Sequence, residues 1–190
     1  MLAAMAIIRL HEFVESVTRF VSGDIATEQI TKLLTEGRLN DEELAPFLHF
    51  QDARYTRSLI HRNDNVEILA LSWSRGSTTP IHDHDGQYCW MVAHIGTFVI
   101  DDYRQISGQR LAGEATLEHL ATTPNVTLGM PDFRYGDQND IHRVAIAPEH
   151  DRAVSIHVYA KPFVSCRIFD EVNKRAAVMP LRYDFTPSTF

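Results

Sequence analysis

The sequence predicts a mainly β protein, a barrel or sandwich of short strands preceded by a small group of helices. Three observations carry that prediction. Apolar residues recur every three or four positions over the first fifty residues, and from about Arg54 onward they recur every second position. Turn-forming pairs then punctuate the second part at short intervals. No internal repeat, low-complexity tract or linker divides the chain. Residues 1–190 therefore read as one domain, helical over 1–50 and barrel over 54–190.

In the first helix Ile7, Leu10, Val14, Val17 and Val21 form one apolar stripe with Phe13 and Phe20 beside it, and Gly23 ends it. Thr27 is placed to cap a second helix running through Ile30, Leu33 and Leu34, stopped by Gly37. Asn40 followed by Glu43 has the spacing of a capping box for a short third helix carrying Leu44, Phe47 and Leu48. Pro46 falls late for a first-turn proline. The helices are expected to pack on the outside of the barrel.

Strand-like runs cover 66–73, 88–94, 97–103, 143–146 and 153–159. Turn signals separate them at Arg75-Gly76-Ser77, Asp85-Gly86, Gly96, Ser107-Gly108, Ala112-Gly113, Thr123-Pro124-Asn125 and the stretch from Asp132 to Asp140. Many short strands at such spacing are the signature of an all-β sandwich or barrel.

Composition narrows the function. With 18 basic and 25 acidic residues the chain carries −7, which argues against the basic footprint that nucleic-acid binding needs. No apolar run approaches the roughly 20 residues of a membrane span. The apolar start, residues 1–13, has no basic leader segment and is not expected to act as a signal peptide. Two cysteines are too few for a disulfide framework, so a reducing cytoplasm is expected; the assembly is expected to be a monomer or small homo-oligomer.

The most informative segment is Gly76-Ser77-Thr78-Thr79-Pro80-Ile81-His82-Asp83-His84, followed later by Gly96. On a strand, residues two apart share a face, so His82 and His84 present their imidazoles side by side. Two such rings are half of a site for a first-row transition metal, and His142 is the best-placed third ligand. Reading the pair as ordinary surface histidines would leave the flanking glycines and His142 to coincidence. His11, His49, His61, His94, His119 and His150 have no comparable context and read as surface or core side chains. The spacing resembles the first motif of the cupin superfamily: glycine, five residues, His-x-His, a glutamate three or four residues on, and a later glycine. Gly76, His82, His84 and Gly96 match, and Cys89 stands at the glutamate position. The second cupin motif is matched loosely by His142, with Gly136 six residues before it and no Pro-x-Gly. The resemblance implies a double-stranded β-helix, or jelly roll.

Losing the carboxylate has a chemical consequence. Two histidines and one carboxylate leave a divalent centre near +1; three neutral imidazoles leave it near +2, which favours anionic ligands and a thiolate especially. Three protein ligands on an octahedral metal leave positions for a bidentate substrate and O2. Zinc with three histidines and a water would suit hydrolysis equally well. Further along, Ser155, His157 and Tyr159 alternate with Val154, Ile156 and Val158, which lines three hydrogen-bonding side chains along one strand face.

Cys89 at the glutamate position, Ser155-x-His157-x-Tyr159, and Arg54-Tyr55-Thr56-Arg57 before the first long strand resemble the thiol dioxygenases, specifically the cysteine dioxygenase family. Trp73, His142-Arg143-Val144 and Pro162-Phe163 leading to Cys166 extend the resemblance over about 54–170. It implies Fe(II) held by His82, His84 and His142, with a small thiol and O2 as reactants. It implies a thioether between Cys89 and Tyr159, with Ser155 and His157 positioning the tyrosine. Tyr55 and Arg57 would line the substrate end, Arg57 binding a carboxylate through its planar fork. L-Cysteine would then be oxidised to cysteine sulfinate. Mercaptosuccinate or 3-mercaptopropionate are alternative substrates. The former stays open because Arg143 or Arg167 could reach the pocket; Arg57 stands where relatives that prefer 3-mercaptopropionate carry glutamine. A metal-binding cupin without catalysis is the further alternative. One departure is local. After Tyr159 the chain reads Ala160-Lys161-Pro162, so the family's proline is displaced by one position and the wall near Tyr159 is expected to differ.

Overall fold

The computed structural model describes residues 5–136 and 140–187. The described residues form thirteen strands: β1 (Ala6–Ile8), β2 (Gly37–Leu39), β3 (Tyr55–Arg62), β4 (Glu67–Ser74), β5 (Ile81–His82), β6 (Tyr88–Ile95), β7 (Phe98–Gly108), β8 (Gly113–Val126), β9 (Asp132–Arg134), β10 (Ile141–Ile146), β11 (Arg152–Ala160), β12 (Ser165–Asp170) and β13 (Arg175–Pro180). The helices are α1 (Leu10–Phe20), α2 (Thr27–Glu36) and α3 (Asp41–Leu44), the last running into a 3-10 turn at Ala45–Phe47. Six strands close a ring in the order β10-β5-β12-β13-β8-β7, and five form a sheet in the order β3-β4-β11-β6-β9. This is the cupin jelly roll with helices outside it.

Side-chain alternation in the sheet separates two of the hydrophobic cores. Val154, Ile156 and Val158 of β11, with Ile68 and Ala70 of β4 and Trp90 and Val92 of β6, face Phe13, Val17, Ile30 and Leu34 of the helices. The intervening residues, among them Leu69, Leu71, Cys89, Met91 and Tyr159, fill the barrel. All eight residues of β4 are buried because both of its faces are covered. Trp90 also donates its indole N–H to Thr31 Oγ1 at 3.0 Å, tying α2 to β6.

Several local expectations are corrected. Ile7 is in β1 and 71% exposed, because that strand pairs parallel with β2; the buried face of α1 is set by Phe13 and Val17. Thr27 is the first helical residue of α2, and Ala26 occupies the cap position without a side-chain bond. Gly37 ends α2 in an extended conformation, and its requirement is space: a Cβ there would lie 2.1 Å from Ile8 Cδ1. Asn40 does cap α3, accepting the Glu43 backbone N–H at 3.0 Å. Glu43 does not complete the box; its carboxylate instead receives Arg9 Nε at 2.9 Å and the Leu10 N–H at 2.6 Å.

In the barrel, Thr123-Pro124-Asn125 is no turn. It lies in β8, where the register against β7 skips from Thr123↔Ile100 to Val126↔Phe98, so the proline sits in a bulge that needs no ladder N–H. Asp132 to Asp140 contains β9, and its residues 137–139, with Asn139 among them, lie outside the described residues. Strands β3, β5, β8, β9, β12 and β13 have no counterpart among the periodic runs read from the sequence. Gly96 turns β6 into β7 with φ of +76°, and a Cβ there would meet Ala153 Cβ at 2.9 Å.

Candidate metal centre and its cavity

The ring and the facing sheet bring the three histidines together. His82 and His142 are register partners on β5 and β10. His84 lies two residues beyond, outside β5, where a turn with φ of 54° at Asp85 and 70° at Gly86 folds the chain back. Strand alternation therefore accounts for His82 only. His84 is aimed by Asp140, which accepts its backbone N–H at 3.0 Å and its Nδ1 at 2.6 Å. The ring centroids are 5.1 Å apart for His82–His84, 4.7 Å for His82–His142 and 4.9 Å for His84–His142. One ligand atom from each lies within 4.8 Å of the others.

The donor set fits a metal ion. His82 Nδ1 is 3.0 Å from the Pro80 carbonyl, so its proton is committed there and Nε2 is left as the ligand. Asp140 does the same for His84. His142 Nδ1 stands 3.4 Å from Asp132 Oδ2 without hydrogen-bond geometry. Burial drives the pKa of His142 down to about 4, against the pull of Asp132 and with the help of His84. Burial likewise puts His82 well below its usual value, reinforced by His142 and His84. Both are thus neutral, with lone pairs available. Burial also opposes charge on His84, but the Cys89 sulfur and the Asp140 carboxylate outweigh it and raise the group to about 10. To serve as a metal ligand through its free ring nitrogen, His84 would have to be in its neutral form.

A small cavity of about 30 Å³ adjoins the triad, lined by His82 and His142, by Tyr55 and Arg57, and by Tyr159 and Cys166 among others. Cys89 and Tyr159 are directly paired across β6 and β11 and are 1% and 3% exposed. On the same face of β11, His157 Nδ1 is 3.1 Å from the Tyr159 hydroxyl and Nε2 is 2.9 Å from Ser155 Oγ, which accepts the Trp73 indole N–H at 2.9 Å. Every buried proton in this chain finds an acceptor when Ser155 donates to Nε2 and His157 Nδ1–H donates to Tyr159. The phenolic proton is then free to point into the cavity. Burial, followed by the charge of Arg57, keeps His157 well below its usual pKa and so neutral. Burial and then Cys89 raise Tyr159, which stays a phenol.

Arg57 has a side chain only 13% exposed, and its Nε and Nη2 are buried without a hydrogen-bond partner. Its backbone is held from the C-terminal tail: Asp184 Oδ2 accepts the Arg57 N–H at 2.8 Å, and the Asp184 N–H donates to the Arg57 carbonyl at 2.9 Å. Arg143 and Arg167, expected as possible reach-ins, do not line the cavity. Arg143 is bound to Asp101 at 2.6 Å, and Arg167 to Asp83 at 2.5 Å and to Gln105 at 2.9 Å. The Ala160–Lys161 peptide after Tyr159 is cis, and the Lys161 N–H donates to Gln87 Oε1 at 3.1 Å. Several participants are not singled out by the sequence. Asp140 was visible as a same-face neighbour two residues before His142. Asp132, Met179 and Leu181 come from distant segments with no local signal.

Fold and site together define a cupin in which three histidines that could hold a metal ion stand beside a cavity lined by one guanidinium. The family model described as cysteine dioxygenase type I matches residues 3–172. Cysteine dioxygenase type 1 of Danio rerio is 30% identical over 159 residues, covering 80% of this chain and 74% of the relative. That of Bos taurus is 25% identical over 181 residues, covering 90% and 85%. A solved RmlC-like cupin from Desulfovibrio desulfuricans is 17% identical with a TM-score of 0.41, covering 61% of this chain and 91% of that one. The chain belongs to the cysteine dioxygenase type I family. Membership makes it a metal-dependent thiol dioxygenase, acting on a small thiol and O2.

Proposed function

We propose that this chain is an Fe(II)-dependent dioxygenase that converts L-cysteine and O2 to cysteine sulfinate. The observation that carries the substrate is Arg57, a buried guanidinium at the cavity wall with two unsatisfied donors. Such a group is costly in an empty protein and suits a carboxylate bound through two parallel hydrogen bonds. Among the described lining residues it is the only Lys or Arg, and none is Asp or Glu. One carboxylate therefore meets one fork, and mercaptosuccinate loses the second cation on which it depended. Without a carboxylate among the described lining residues, the α-amine of cysteine would have no ionic partner in the cavity wall.

His82, His84 and His142 would hold the iron, which when bound supplies activation of O2 and stabilises the substrate as thiolate. Three neutral ligands keep the full dipositive charge for that task. Arg57 fixes the far end of the substrate, and Tyr159, oriented by His157 and Ser155, offers a hydrogen-bond donor to the reacting end. Tyr55 closes the wall, its ring 4.8 Å from that of Trp73. Both oxygen atoms go to sulfur, so no external reductant is consumed. Two buried, unpaired cysteines accord with a reducing cytoplasm.

The test is oxygen uptake by the Fe(II)-loaded protein with L-cysteine, 3-mercaptopropionate and mercaptosuccinate side by side. Uptake with L-cysteine, matched mole for mole by cysteine sulfinate, is expected. Uptake confined to another thiol overturns the substrate, and none with any of them favours a binding cupin or a zinc enzyme.

The register pairing of Cys89 with Tyr159 also supports a thioether between the sulfur and the phenol ring. Its formation removes two hydrogens, which O2 accepts. Intact mass after turnover with iron, thiol and O2 is expected to fall by that amount, with a doublet on denaturing gels. A single unshifted species after many turnovers would exclude the cross-link.

A further inference from the structure

Behind Arg57 stands a carboxylate that neither the metal centre nor the substrate fork uses. Glu67, the first residue of β4, is 1% exposed and lies in register with Tyr159 on one side and Arg62 on the other. Its Oε2 accepts from Arg62 Nη1 at 2.7 Å and from the Tyr183 hydroxyl. Its Oε1 is 3.9 Å from Arg57 Nη2, close enough to compensate that charge and too far to occupy one of its donors. A buried carboxylate is unfavourable unless charges and hydrogen bonds match it, and here both are supplied. Two guanidinium groups and one carboxylate leave this end of the cavity with a single net positive charge.

We propose that Glu67 is a specificity-determining residue, which by holding that net charge at one restricts the cavity to thiols bearing one carboxylate. This rests on the thiol-acid reading above. A monocarboxylate brings the enclosed cluster to neutrality. A dicarboxylate leaves it negative, and Arg143 and Arg167 are held elsewhere by Asp101 and Asp83. Arg62 contributes from the outer side: its side chain is 34% exposed and it meets the Glu67 oxygen that faces away from Arg57.

The test compares 3-mercaptopropionate with mercaptosuccinate, which share a carbon skeleton and differ by one carboxylate. Dissociation constants are measured without oxygen on the metal-loaded protein, and kcat/KM in air. The wild type is expected to prefer the monocarboxylate, and Glu67→Gln to narrow that preference by about tenfold or more, as one unit of charge at close range requires. Arg62→Gln, at a partly exposed position, is expected to widen it, and the double variant to return it toward the wild-type ratio. These opposite signs separate a charge effect from disturbed packing, and Arg62→Gln decides the matter even if Glu67→Gln does not fold. An unchanged ratio, or shifts in the same direction, in a wild-type background that binds thiols overturns the role of Glu67 alone. A wild type that binds neither thiol overturns the thiol-acid reading and this inference with it.

Discussion

Replacing His84 by alanine is expected to lower metal affinity by at least about 100-fold, beyond the roughly 10–100-fold typical of losing an outer partner, and to abolish oxygen uptake. His84 is buried and completes, with His82 and His142, the histidine group whose ligand atoms lie within 4.8 Å of one another. Asp140→Asn should give the lesser loss. Asparagine can accept one of the two His84 N–H groups through its carbonyl, but it sets an amide NH2 against the other, so the imidazole is no longer held in one tautomer and orientation. Metal content after dialysis and competition with a chelator measure both. Full loading of the His84→Ala protein would refute the three-imidazole centre. An Asp140→Asn protein as weak as His84→Ala would mean that Asp140 is itself a ligand.

Arg57→Ala is the second large effect. Truncating one partner of a buried, hydrogen-bonded charge pair costs about 2–5 kcal/mol, so kcat/KM for L-cysteine should fall by roughly 30- to 5000-fold, mostly through KM. Arg57→Lys should recover little, since an ammonium cannot present the planar fork. Inhibition by cysteamine, a thiol without a carboxylate, should be unaffected in either variant. That comparison separates loss of carboxylate binding from general damage to the cavity. Unchanged L-cysteine kinetics in Arg57→Ala would remove the substrate assignment while leaving the metal centre intact.

How far these residues could be foreseen depended on the range of the physics that places them. The face shared by Ser155, His157 and Tyr159 follows from the two-residue period of one strand, and the structure puts all three in one hydrogen-bonded chain. The pairing of His82 with His84 was read from the same rule, yet His84 lies past the strand and owes its aim to Asp140. Ile7 has the right spacing for the α1 stripe, but pairing between β1 and β2 outcompetes helix extension. Pro124 looks like a turn residue and is absorbed by a bulge, because β7 and β8 are long enough to slip register around it. Glu67, at the start of a strand with no motif around it, gave no signal at all.

Local periodicity and motif spacing were therefore enough to predict a helical start, a β-barrel and the His82–His84 pair, because these depend on residues close together in the chain, whereas His142 reaches them only through the pairing of β10 with β5. The charge of the cavity was decided only by tertiary structure. Arg57 carries one positive charge wherever it is drawn, but whether it faces a substrate freely depends on what packs beside it. Here Glu67 stops short of its donors, Asp184 pins its backbone from more than a hundred residues away, and Arg143 and Arg167 are bound elsewhere. A buried charge takes its meaning from its neighbours in a low-dielectric interior, and those neighbours are chosen by the fold rather than by adjacency in sequence.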